Sequence, residues 1–171
     1  MDGTPAPLSE KISSFADHDL ALIDAAMQAL ADAKAPAELL DLANKAEALR
    51  RYVRRARLGM LAQNRCAELR LRAERKLGQF LAITPRLRGR PKSVPHGDTL
   101  PSLVDLGVPH RRISHRAQRL ADIPTPIFEG YLRDRHGAEA EITTRHLLTI
   151  VSVARRRRRT PTGLSEVGST I

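Results

Sequence analysis

Apolar residues recur through the first half of the chain at intervals of three and four. Between Ser9 and Ala33, Ile12, Phe15, Leu20, Ile23, Met27 and Leu30 keep that spacing with one slip, which predicts an amphipathic helix capped by Ser9 or Asp17. Lys34-Ala35-Pro36 interrupts it, and Pro36 suits the first turn of a second helix. From Ala37 to Thr84 there is no proline, and only Gly59 and Gly78 interrupt the helix formers. Leu39, Leu42, Ala46, Leu49, Val53, Ala56 and Met60 step as a coiled-coil seam does; the seam weakens at Gln63 and resumes through Ala67, Leu71, Leu77 and Leu81. A continuous helix of about 48 residues would be about 72 Å long. Nothing that long is stable alone, so it must pack on the first helix, on a second copy, or on both.

Residues 85–99 are rich in Pro, Gly and Arg and read as a linker. A short helix is then expected over 100–106, with Thr99 as N-cap and Pro101 in its first turn. Gly107 makes a tight turn, Pro109 opens the next helix, and this helix-turn-helix order predicts a recognition helix over 109–121. Ile113, Ala117 and Leu120 share its apolar face; the other side is assigned His110, Arg111, Arg112, Ser114, His115, Arg116, Gln118 and Arg119. A solvated face would mix both signs, yet no acid appears before Asp122. Ile123-Pro-Thr-Pro126 stops it. A helix bearing Ile127, Phe128, Tyr131 and Leu132 follows, then a polar loop at 136–141 and a last helix capped by Thr143 or Thr144. The expected architecture is all-α: a helical arm and oligomerisation region (1–84), a basic linker (85–99), a helix-turn-helix domain (100–154) and a disordered basic tail (155–171).

Charge sharpens this picture. The 171 residues carry a formal +10, and the pI near 10.9 favours a polyanionic partner. The excess is local: residues 45–95 hold fifteen Lys/Arg against Glu47, Glu68 and Glu74, and Arg155–Arg159 add a second block. The pairs at 50–51, 54–55 and 70 with 72 are either a solvated outer face or phosphate contacts. With three Phe, two Tyr and no Trp, base stacking of the single-strand-binding kind is not expected. Arg88-Gly-Arg-Pro91 and Lys92 match the core of a minor-groove hook, so Arg88, Arg90 and Lys92 either enter an A·T-rich minor groove or simply add phosphate affinity. The lone Cys66 fits a reducing compartment and a packing role. No apolar run reaches the roughly 20 residues of a membrane span, and the N-terminus lacks a signal-peptide pattern. A cytoplasmic, nucleoid-associated protein with no membrane partner is expected.

Catalytic and metal motifs are not found. His96, His110, His115, His136 and His146 lack metal-ligand spacing, and no phosphate-cradling glycine loop or nucleophile elbow occurs. Neither an enzyme nor a cofactor is expected.

Two segments resemble known proteins. Leu-Gly-Val at 106–108, Ile113-Ser, Arg119-Leu-Ala, Ile123-Pro, Phe128-Glu-Gly-Tyr-Leu and Ile142-Thr-Thr-Arg-His-Leu-Leu148 resemble the helix-turn-helix region of ParB-type partition and regulatory proteins. Residues 45–82 are similar to a long-helix region in small proteins of phages, plasmids and integrative elements that also end in a ParB-like helix-turn-helix. The resemblance implies a DNA-binding regulator or partition-like factor of a bacterial chromosome or mobile element. The Gly-Glu-Arg-Arg box of true ParB proteins has no counterpart, so CTP-driven clamping is not implied.

The function expected is sequence-specific binding of double-stranded DNA as a homodimer paired through the helix around 37–82. His110, Arg111, Arg112, Ser114, His115, Arg116 and Arg119 would meet bases and phosphates. Two alternatives stay open: a protein-interaction adaptor using the long amphipathic arm for a protein partner, and an RNA-binding protein using its Arg-rich helix and tail.

Overall fold

The computed structural model describes residues 21–85 and 100–159, with side chains as far as Val153. Expectations that fall on other residues, including Ser9, Thr99, Arg88, Arg90 and Lys92, lie outside the described part. The described residues form six helices and no strand: α1 (21–32), α2 (Pro36–Arg55), α3 (Met60–Ile83), α4 (Arg111–Ala121), α5 (Thr125–Gly137) and α6 (Thr144–Arg159). The all-helical class expected from the periodicity is what the chain adopts.

The stretch 37–84 is helical but not continuous. Helix α2 ends where Leu58 N–H donates to the Val53 carbonyl (3.0 Å) and Arg57 N–H to that of Arg54 (3.2 Å). This bond pair is the glycine-type helix stop, with Arg57 in the left-handed region at φ 56°. Gly59 then starts α3, which folds back along α2. The seam expected to run between helices therefore closes inside one chain. Leu39 and Ala46 of α2 pack with Leu69, Ala73 and Leu77 of α3, and Val53 packs with Ile23 and Cys66.

Helix α3 is the centre of the molecule. Asn64, Cys66, Ala67, Leu69, Leu71, Ala73, Glu74, Leu77, Gly78 and Leu81 are all buried, more sides than an amphipathic stripe would present. Leu69, Ala73, Leu77 and Leu81 face α1, α2 and α4; Ala67 and Leu71 join Leu120, Ile123, Phe128, Tyr131, Leu132, Ile142 and Leu147. Asn64 fastens the α5–α6 loop by donating to the Ala140 carbonyl and accepting from Ile142 N–H, both at 2.9 Å.

Where a helix was expected over 100–106, the described residues form a single hydrogen-bonded turn, 103–107, capped at Ser102. Asp105 accepts from the Ser102 backbone N–H (2.8 Å) and hydroxyl (2.7 Å). Those bonds hold the Asp105 carboxyl below the ordinary 3.8. Gly107 closes the turn at φ 75°, with Val108 N–H bonded to Leu103 O and Gly107 N–H to Val104 O, both 2.8 Å. At the other end of the chain, the backbone of 155–159 continues α6 where a disordered tail was expected to begin; arginine is among the better helix formers.

Candidate nucleic-acid interface

Three contacts with α3 fix the position of α4. The first is a close approach: a Cβ built on Gly78 would lie 2.0 Å from the Ala117 carbonyl oxygen. The second is ionic. Glu74, 2% exposed, accepts from Arg116 Nε (2.8 Å) and Nη2 (2.7 Å) and from Arg70 Nε (3.0 Å). The third holds the end of the helix: Arg75 donates to the Ile123 carbonyl and the Thr125 hydroxyl, each at 3.0 Å, with its guanidinium 4.7 Å from the centre of the Phe128 ring. Burial pushes the Arg75 guanidinium below its ordinary pKa.

Seated in this way, α4 divides cleanly. At about 100° per residue, Ser114, Ala117 and Leu120 fall on one arc, and Arg111, Arg112, His115 and Arg119 fall on an arc opposite. The first three are buried, the other four exposed, and His110 is exposed at the N-cap. Of the residues proposed for DNA contact, His110, Arg111, Arg112, His115 and Arg119 thus share one open face. Ser114 does not. It is 2% exposed and receives a hydrogen bond from Gln118 (2.7 Å), because its register sets it about 60° from Ala117, on the α3 side. Arg116 sits at the boundary, 37% exposed, its guanidinium turned onto Glu74.

The arginines of α2 and α3 divide: Arg51, Arg54 and Arg55 lie on an exposed face, as the solvated reading expects, whereas Arg50, Arg70 and Arg72 are turned inward onto carboxylates. Of the eleven Lys/Arg from Lys45 to Lys76, only Arg55 and Arg57 bond neither a carboxylate nor a carbonyl among the described residues. Arg70 joins Glu47 (2.6 Å) to Glu74, and these carboxylates raise its pKa against the lowering effect of burial. Arg72 grips Glu129 with two bonds of 2.7 Å and also meets Glu68. The Glu129 bonds raise Arg72, and the same bonds lower the Glu129 carboxyl. Glu68 also meets His136 at 2.8 Å. By contrast Arg111, Arg112 and Arg119 on the open face of α4 form no ion pair among the described residues.

A groove of about 440 Å³ continues this face between α4 and α6, lined by Arg116, Arg119, Thr144, Arg145, Leu148, Thr149 and Ser152. Arg145 and Glu74 are the members that the sequence reading missed. For Glu74 a signal existed: it is one of three acids within the basic stretch 45–95, of which Glu47 and Glu74 each bind an arginine on another helix and Glu68 binds Arg72 and His136. For Arg145 there was none, since its place beside α4 is tertiary. No group of three or more His, Cys, Asp or Glu among the described residues could hold a metal ion, and no described helix is long and apolar enough to cross a membrane.

Fold and site together define a class: an all-helical protein that presents a cationic helix face from a buried central helix. Comparison takes it no further, as no family model matches the chain and neither a curated protein nor a solved structure is detectably similar to it.

Proposed function

We propose that the chain binds double-stranded DNA sequence-specifically, with α4 lying in the major groove. One observation carries the reading: His110, Arg111, Arg112, His115 and Arg119 are exposed on one side of α4, and its three arginines lack ion-pair partners among the described residues, while most arginines of α2 and α3 are paired. Unpaired guanidiniums on a rigid helix suit guanine edges and phosphates, which take them bidentately. The resemblance of 101–150 to ParB-type helix-turn-helix regions supports the same reading, and a regulatory or partition-like role in a bacterial chromosome or mobile element goes with it. Pairing of two copies over two half-sites is part of the proposal. Most of the apolar seam first assigned to that pairing is buried within the chain, which favours another surface for a second copy.

The test is binding of duplex fragments across a salt series, after selecting bound sites from random DNA. The reading expects a selected sequence, a steep salt slope, and a loss of about 1–3 kcal/mol in discrimination for Arg112→Ala or Arg111→Ala. Equal affinity for all duplexes, unchanged in both variants, would overturn it. Preference for RNA over the matching duplex would favour the RNA-binding alternative.

A further inference from the structure

We propose that the groove between α4 and α6 is a phosphate clamp in which Arg119 and Arg145 hold one phosphate group and Arg116 forms the fixed wall. Arg116 and Arg119 come from α4, Arg145 from the first turn of α6, and Thr144, Thr149 and Ser152 supply hydroxyl groups around them. Residues 144, 145, 148, 149 and 152 fall on one side of α6 at helical spacing, so the groove is lined by one helix face and one helix edge. No acid lines it. The only carboxylate bonded to the three arginines among the described residues is Glu74, which lies behind Arg116 and already serves Arg70. Arg119 and Arg145 are exposed and without ion pairs among the described residues. Like charges gathered around a concave surface call for a counter-anion, and paired guanidiniums match the geometry of phosphate oxygens; the Thr144 hydroxyl can add a donor, while those of Thr149 and Ser152 donate to the Arg145 and Thr149 carbonyls. Carboxylate ligands and bare chloride use fewer of these donors. The phosphate is a backbone diester of nucleic acid or a free phosphate; the diester form rests on the DNA reading above and would set the register of α4 without reading a base.

The test compares full-length wild type with Arg145→Ala, and with Arg133→Ala as a control that removes the same charge from an exposed position on α5 outside the groove. In the duplex arm, Arg145→Ala should weaken all sequences alike by roughly tenfold. It should also reduce the salt slope by about one, leaving the ranking of sequences intact. Arg133→Ala should change affinity by less than about twofold. In the second arm, inorganic phosphate replaces chloride at matched ionic strength. Wild type and Arg133→Ala should gain more melting temperature than Arg145→Ala if free phosphate occupies the groove; the general stabilisation by phosphate is common to all three. A selective effect of Arg145→Ala in either arm supports the clamp and identifies its source. If Arg145→Ala behaves as Arg133→Ala in both arms, the clamp is wrong even where duplex binding itself persists. If no duplex is bound at all, the phosphate arm alone decides.

Discussion

Substituting Gly78 by alanine sets two known effects against each other. In a helix interior Gly→Ala ordinarily stabilises by about 1 kcal/mol, through lower backbone entropy in the unfolded chain. Gly78, however, faces α4 at a distance that leaves no room for a methyl group: its Cβ would lie 2.0 Å from Ala117 O, 2.4 Å from Ala117 C and 2.9 Å from Ala121 Cβ. The first two are backbone atoms of a packed helix, so no side chain can swing away. Restoring ordinary contact near 3.4 Å requires α4 to retreat from α3 by more than ~1 Å. Ala117 and Leu120, both fully buried, would lose close packing. Overpacking of this kind costs about 1–3 kcal/mol and occasionally more, and a backbone clash belongs at the upper end. Steric conflict should win, leaving Gly78→Ala about 2 kcal/mol less stable. With urea m-values of about 1–3 kcal/mol/M, its unfolding midpoint should fall by roughly 1 M. Gly130 in α5 has no atom within 4 Å of an added Cβ, so Gly130→Ala should instead raise stability by about 1 kcal/mol. If both variants stabilise alike in urea titrations followed by circular dichroism, the close packing of α4 on α3 is refuted.

Two further outcomes follow from the same contacts. Glu74→Gln keeps the side-chain shape but removes the charge facing Arg70 and Arg116; loss of one member of a buried pair costs about 3–5 kcal/mol, and partial exposure of both arginines brings the expected loss to about 2–3 kcal/mol by urea titration. A loss below about 0.5 kcal/mol would show that Glu74 does not hold α4. For Asp105, bonds from the Ser102 N–H and hydroxyl lower the folded-state pKa, so its stabilising contribution is full above 3.8 and disappears as pH falls through the lowered value. Its carboxyl carbon followed by NMR should titrate below 3.8, and Asp105→Asn should lose that acid-limb dependence; a midpoint at or above 3.8 would rule out the cap.

Periodicity made the helices legible, because an apolar residue every three or four positions states which side is buried. It could not state what buries it. The Leu39–Val53 and Ala67–Leu81 patterns are the same whether two chains or one hairpin supply the partner, and the deciding feature is the stop at Arg57, a residue with no propensity for positive φ. Gly78 looked like a flaw in a helix since a close approach depends on Ala117, thirty-nine positions away. On α4 the charge pattern located the open face correctly for Arg111, Arg112, His115 and Arg119. It misplaced Ser114, whose small polar side chain carries no facing signal of its own and was counted outward with its neighbours.

The net charge of +10 takes on a direction only through these pairings. Had the arginines of 45–76 been solvated, the field would surround α2 and α3 and favour no single face. Instead Glu47, Glu68, Glu74, Glu129 and Glu141 each sit on arginines of the central hairpin, bonding α2 and α3 to each other and to α4, α5 and the α5–α6 loop. Local compensation of this kind shortens the reach of those charges, since opposite charges a few ångströms apart cancel at the Debye length of about 10 Å. Arg111, Arg112, Arg119 and Arg145 keep their full field because no carboxylate among the described residues meets them. The acids therefore act twice: they fix α4 against its support, and among the described residues they leave Arg111, Arg112, Arg119 and Arg145 uncompensated on α4 and the adjoining edge of α6, apart from the scattered Arg55, Arg57 and Arg133. On the proposed reading a phosphate chain meets that surface, and the Glu74–Arg116 pair holds the helix beneath it in place.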